Sequence, residues 1–97
     1  MKLRFTPLAI ANIEEIADYI RVRNPAAAKR VRAAIYDGLQ NLLLFPYAGR
    51  RQKVEGVRKF LTRRYVYLLY YTVDEAAGEI VILNIKHPAR RPEHENA

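Results

Sequence analysis

Five arginines and one histidine are the side chains with which this chain could do chemistry: Arg58, Arg63, Arg64, Arg90 and Arg91, with His87 among them. Cleavage of RNA by its own 2′-hydroxyl needs only such parts, a proton-transfer group and cations that hold the phosphate as its charge grows. Other routes are closed by inventory. The chain has no serine and no cysteine, so it lacks the usual hydroxyl and thiolate nucleophiles. Two histidines, His87 and His94, do not make a metal-ligand set without cysteine, and the four glycines are too scattered to form a phosphate-cradling loop. His87 also has a plainer reading, a strand-end side chain hydrogen-bonded to a loop. His94 lies in a polar tail and is expected to be solvated. Tyr65, Tyr67, Tyr70 and Tyr71 could stack bases beside the arginines, or could be core residues whose hydroxyls reach the rim.

Charge narrows the partners. Lys and Arg number 17 against 10 Asp and Glu, a formal charge of +7 on 97 residues. The excess is concentrated: Arg50, Arg51, Lys53, Arg58, Lys59, Arg63 and Arg64 are opposed within their stretch only by Glu55, whereas residues 8–20 carry no positive charge. A cationic rim of that kind calls for an anionic partner, a nucleic acid or an acidic protein segment. On charge alone, a nucleic-acid-binding module with no other activity satisfies the pattern.

The elements that must position these residues follow from period and punctuation. Lys2–Phe5 alternates, as a short strand with one buried face does. Thr6-Pro7 and Asn24-Pro25 each pair an N-cap with a proline suited to the first helical position. Behind the first, Ile13, Ile16, Ala17 and Ile20 form an apolar stripe; behind the second, Ala28, Val31, Ile35, Leu39 and Leu42 form another. So short a break folds the two helices into an antiparallel hairpin. Gly38 weakens the second helix by up to about 1 kcal/mol relative to Ala, implying a close approach or a tolerated cost. Past the Phe45–Gly49 loop the period becomes that of a sheet. Val57–Leu61 is a strand, residues 62–64 a tight connection, Tyr65–Val73 a long central strand apolar on both faces, and Glu79–Lys86 its antiparallel return across a hairpin loop.

Pro88 halts that return, and residues 89–97 form a basic, flexible tail. The expectation is one α+β domain over residues 1–97: an N-terminal strand, an antiparallel helical hairpin, then a three-stranded antiparallel sheet with the hairpin on one face. A domain this small buries roughly 60–65% of its unfolded surface and has little scaffold for a deep cleft. Met1-Lys2-Leu3-Arg4 leads into no apolar segment and no run reaches about 18 apolar residues, so a cytoplasmic protein with no membrane partner is expected.

The ordered segments Leu3–Pro7, Ile13–Ile20, Asn24–Ala28, Pro46–Arg50, Gly56-Val57-Arg58, Tyr70–Asp74 and Ile80–Leu83, ending in His87, resemble the RelE/ParE superfamily of toxin–antitoxin toxins, closer to the ParE branch. The resemblance implies a bacterial type II toxin neutralised by direct binding of a ParD-like antitoxin, without cofactor or metal. A ParE-like toxin poisons DNA gyrase; the alternative is a RelE-like endoribonuclease that cuts messenger RNA on the ribosome. The nuclease reading would rest on Arg58, Arg64 and His87, although a tyrosine after His87 is missing and the lysine-rich strand of RelE is only partly matched by Lys53 and Lys59. Target contact and toxicity would fall to Arg58, Arg63, Arg64, Lys86, His87, Arg90 and Arg91. Antitoxins of the family lay a helix in the groove of the hairpin and an extended piece along the sheet. That implies contacts at Ile13, Ile16, Tyr19, Ile20, Val31, Ile35 and Leu39, and at Arg50, Arg51 and Arg58.

Overall fold

Both predicted caps close their helices. In the computed structural model, which describes residues 1–88, α1 runs Pro7–Arg23 and α2 Pro25–Leu44. The Thr6 hydroxyl accepts from the Ala9 amide at 3.0 Å and donates to the Leu83 carbonyl at 2.6 Å, so one side chain starts α1 and ties it to the sheet. Asn24 serves both helices. Its amide donates to Ile20 O at 2.6 Å, ending α1, while its side-chain oxygen accepts from the Ala27 amide at 3.1 Å, starting α2.

The sheet has five strands, β1 (Lys2–Phe5), β2 (Arg50–Arg51), β3 (Arg58–Leu61), β4 (Leu68–Asp74) and β5 (Glu79–Lys86), in the order β1-β5-β4-β3-β2. This corrects the expected three-stranded antiparallel sheet. β1 joins the same sheet parallel to β5, with Leu3 beside Ile80 and Phe5 beside Ile82, which is possible because the helical hairpin carries the chain back over the sheet. β2 adds a two-residue ladder, Arg50 opposite Lys59 and Arg51 opposite Arg58. The sheet is therefore mixed.

The long strand expected from Tyr65 begins only at Leu68. Thr62, 3% exposed, interrupts it: its hydroxyl accepts from the Tyr67 amide at 2.8 Å and donates to the Tyr65 carbonyl at 2.5 Å, and Arg64 adopts φ 68°. β4 is an inner strand, but only one of its faces is buried. Tyr67, Leu69 and Tyr71 point into the core, whereas Leu68, Tyr70 and Thr72 are half-exposed on the side without helices. β5 keeps its inward residues in phase through a bulge. Tyr70 pairs with Asn84 and Tyr71 with Ile82, so Leu83 is the extra residue and the inward set runs Ile80, Ile82, Ile85.

Both helices cover one sheet face. Ile16 of α1 and Val31, Ile35, Leu39 and Leu42 of α2 pack with Leu69, Tyr71, Ile80, Ile82 and Ile85 in one continuous core. Gly38 is a close approach: a Cβ there would sit 2.9 Å from the Thr62 methyl, with Leu69 and Phe60 at 3.5 and 3.6 Å. No helix among the described residues is long and apolar enough to cross a membrane.

Candidate antitoxin groove and cationic surfaces

The hairpin leaves an apolar furrow between its two helices, floored by side chains that also pack in the core. Ile13, Ile16 and Ile20 of α1 face Val31, Ile35 and Leu39 of α2 across a groove of about 180 Å³. Stripes at i, i+3, i+4 place these side chains along each helix, and Ala17 and Ala28, being small, keep the furrow open. Six of the seven helical residues expected to meet an antitoxin thus converge. Tyr19 does not line the groove; the Arg23 guanidinium stacks on its ring at 3.7 Å. Arg32 and Tyr36, which sequence reasoning passed over, complete the lining, and Tyr36 is 60% exposed. The signal was present: Ala28, Arg32 and Tyr36 recur every four residues beside the stripe that was read.

The basic stretch does not form one rim, which corrects the expectation. Strand alternation sends its members to different faces. Arg50 and Lys59, opposite each other, share the uncovered face, where the same ladder row continues through Tyr70 to Asn84. Arg51 and Arg58 lie on the other side, lining a shallow pocket of about 540 Å³ with Tyr47 and Val73. Arg63 and Arg64 occupy the β3–β4 turn at the far end of β3, both exposed.

Arg58 is engaged in structure. Its Nη1 donates to the Gly49 carbonyl at 2.8 Å and to the Tyr47 carbonyl at 3.2 Å, and its guanidinium lies 5.1 Å from the Tyr47 ring centre. Beneath it the fully buried Tyr71 hydroxyl donates to Pro46 O and accepts from the Gly49 amide, both at 2.8 Å. Burial pushes the Tyr71 phenol above the ordinary tyrosine range, against the opposing pull of the Gly49 amide and the Arg58 charge. The neutral phenol is what a donor to Pro46 must be. Together the two side chains pin the Phe45–Gly49 loop, and Tyr47 reaches on to bond Glu75.

His87 packs edge-on against Tyr67, ring centres 5.1 Å apart, and Lys86 lies 5.5 Å from the Tyr70 ring on the uncovered face. Arg58 pairs with Tyr71 in the β3–β4 ladder, whereas His87 touches Tyr67, just before β4 begins. The Arg58 Nη1 is turned to the two loop carbonyls, Arg64 stands exposed in the β3–β4 turn, and His87 lies against Tyr67. Arg90, Arg91 and the rest of the expected tail lie outside the described residues. Among the described residues no group of three His, Asp or Glu side chains is placed to hold a metal.

Comparison with known proteins accords with this architecture. The chain superposes on a chain of the chromosomal ParDE toxin–antitoxin system of P. aeruginosa with a TM-score of 0.76 and 29% identity, covering 90% of this chain and 95% of that one. The isolated E. coli RelE toxin shares the fold at a TM-score of 0.63 and 18% identity, over 98% of this chain and 90% of that one. Y4kP of Sinorhizobium fredii, whose name marks it as a candidate toxin, is 28% identical over 86 residues, 89% of this chain and 86% of its own length. The family profile described as the ParE toxin of the type II toxin–antitoxin system parDE matches residues 3–92, nearly the whole chain, including both groove helices, β2 to β5 and all of β1 but Lys2. By that match the chain belongs to the ParE family of type II toxin–antitoxin toxins.

Proposed function

We propose that this ParE-type toxin arrests growth by binding and poisoning DNA gyrase, and that a ParD-like antitoxin silences it by laying an amphipathic helix in the α1–α2 groove. The observation that carries the reading is the family match over residues 3–92, supported by the likeness to a ParDE chain at 29% identity. The groove supplies a physical basis for the antitoxin. It presents isoleucine, valine and leucine side chains on a chain of formal charge +7, so a segment with apolar anchors and acidic flanks would gain burial and charge neutralisation together. A tail that folds only on binding would release the toxin when degraded. The engagement of Arg58 Nη1 with the Tyr47 and Gly49 carbonyls speaks against its serving a reaction centre with His87.

The test is supercoiling of relaxed plasmid by gyrase in the presence of the purified chain. Poisoning predicts that supercoiled product falls and linear DNA accumulates on denaturation of the complex. Unchanged supercoiling, with translated message cut at codons instead, would replace this reading by the ribonuclease alternative.

A further inference from the structure

Helix α2 separates two unlike surfaces. One side lines the apolar groove; the other, through Arg30, Asp37, Gln40 and Asn41, walls a polar cleft of about 820 Å³ whose far wall is Phe60, Leu61 and the turn residues Arg63, Arg64 and Tyr65. The Arg30 Nε donates to the Tyr65 hydroxyl at 2.9 Å, spanning the cleft at one end. Gly38 lets α2 press against Thr62, and the two hydrogen bonds of Thr62 fix the turn from which Arg63 and Arg64 project. Arg64 is the one non-glycine residue among those described with positive φ, a conformation disfavoured for a side-chain-bearing residue that the locked turn imposes. Among the described residues, none of the three arginines is in a salt bridge with a carboxylate. Three guanidiniums thus lie on two walls of an open cleft, with the Asp37 carboxylate on the helix wall in a salt bridge with none of them.

We infer that this cleft binds the phosphodiester backbone of a single nucleic-acid strand, with Arg30, Arg63 and Arg64 each taking a phosphate. Planar guanidinium forks match phosphate oxygens, and unpaired cations on two walls suit a chain whose charges repeat along its length. The amides of Gln40 and Asn41 add donors on the helix wall. A duplex is too wide to enter a cleft this size, and its backbone could only cross the mouth. The proposal goes beyond gyrase poisoning and stands whether or not a topoisomerase is the target.

The experiment follows fluorescence anisotropy of a labelled twelve-nucleotide single strand on the purified full chain between about 50 and 200 mM salt. Each phosphate neutralised on a single strand contributes about 0.7 to the slope of log affinity against log salt. Arg30→Gln/Arg63→Gln/Arg64→Gln is therefore expected to make that slope shallower by about 2 and to lose about 100-fold in affinity near 0.1 M salt. Arg63→Gln/Arg64→Gly, which keeps the Arg30–Tyr65 bond and relieves the strained turn, is expected to lose about 25-fold, and Asp37→Asn to bind more tightly. The control Arg50→Gln/Arg51→Gln/Lys53→Gln removes the same charge at the other end of β3 and is expected to lose much less. Equal losses in the two triple variants, no binding at the lowest salt, or equal competition by a polyglutamate peptide of the same length would each overturn the proposal.

Discussion

Replacing Gly38 by alanine sets two effects of similar size against each other. In an exposed helix the change would stabilise by about 1 kcal/mol, because glycine loses more backbone freedom on folding. Here the new Cβ would lie 2.9 Å from the Thr62 methyl, closer than real Cβ contacts come. The methyl cannot swing aside cheaply, since the Thr62 hydroxyl is committed to Tyr65 O and the Tyr67 amide and the residue is 3% exposed. Overpacking of this kind costs about 1–3 kcal/mol, so the net expectation for Gly38→Ala is a loss of about 1 kcal/mol, or about 4–8 °C in Tm. The same change in a Thr62→Ser background has a different sign. Serine keeps both hydrogen bonds and removes the offending methyl, leaving the helix gain of about 1 kcal/mol. Urea unfolding of the four proteins measures the coupling, expected at about 2 kcal/mol. Gly38→Ala stabilising the Thr62 protein, or acting alike in both backgrounds, would refute the argument.

Tyr71→Phe strands the Gly49 amide and the Pro46 carbonyl in a buried site and is expected to cost about 1–3 kcal/mol in urea unfolding. Because the folded-state pKa of Tyr71 is raised, its stabilisation is present below the ordinary tyrosine pKa of about 10 and is lost as pH rises through the folded value; the gap between wild type and Tyr71→Phe should narrow there and be constant at neutral pH. Arg58→Lys replaces the planar guanidinium whose Nη1 bonds both Tyr47 O and Gly49 O and whose plane lies by the Tyr47 ring, and is expected to speed proteolysis within residues 45–49 while amide exchange in β5 is unchanged. Tyr36→Ala, at a groove position 60% exposed, should weaken antitoxin binding by about 2 kcal/mol in calorimetry while moving stability by no more than about 0.5 kcal/mol.

The helices were legible because their signals are local. Thr6-Pro7 and Asn24-Pro25 place caps and first turns within a few residues, and the isoleucine, valine and leucine spacing alone puts six side chains in one groove. The sheet was less so. A two-residue ladder at Arg50–Arg51 has no period to detect, and the parallel pairing of β1 with β5 joins residues more than seventy positions apart, Leu3 with Ile80. The bulge at Leu83 shifts the inward phase without any glycine to announce it. Tyr65–Tyr67 continue the alternation of β4, but the buried Thr62 hydroxyl offers the backbone other hydrogen bonds and the strand starts late. The hold of Arg58 on the loop was not legible, since a cation reads the same in sequence whether it faces solvent or two loop carbonyls. The neighbouring charges were misjudged as one rim because consecutive strand residues face opposite ways.

The central claim, that this fold acts by docking on gyrase and is silenced by occupation of its groove, is tested most directly by gyrase-mediated cleavage of plasmid titrated with antitoxin. The account predicts that linear DNA accumulates with toxin alone and disappears once each toxin has one antitoxin chain bound, with Tyr36→Ala needing excess antitoxin for the same protection. Absence of linear DNA at saturating toxin, or full protection that is unaffected by changes in the groove, would contradict it.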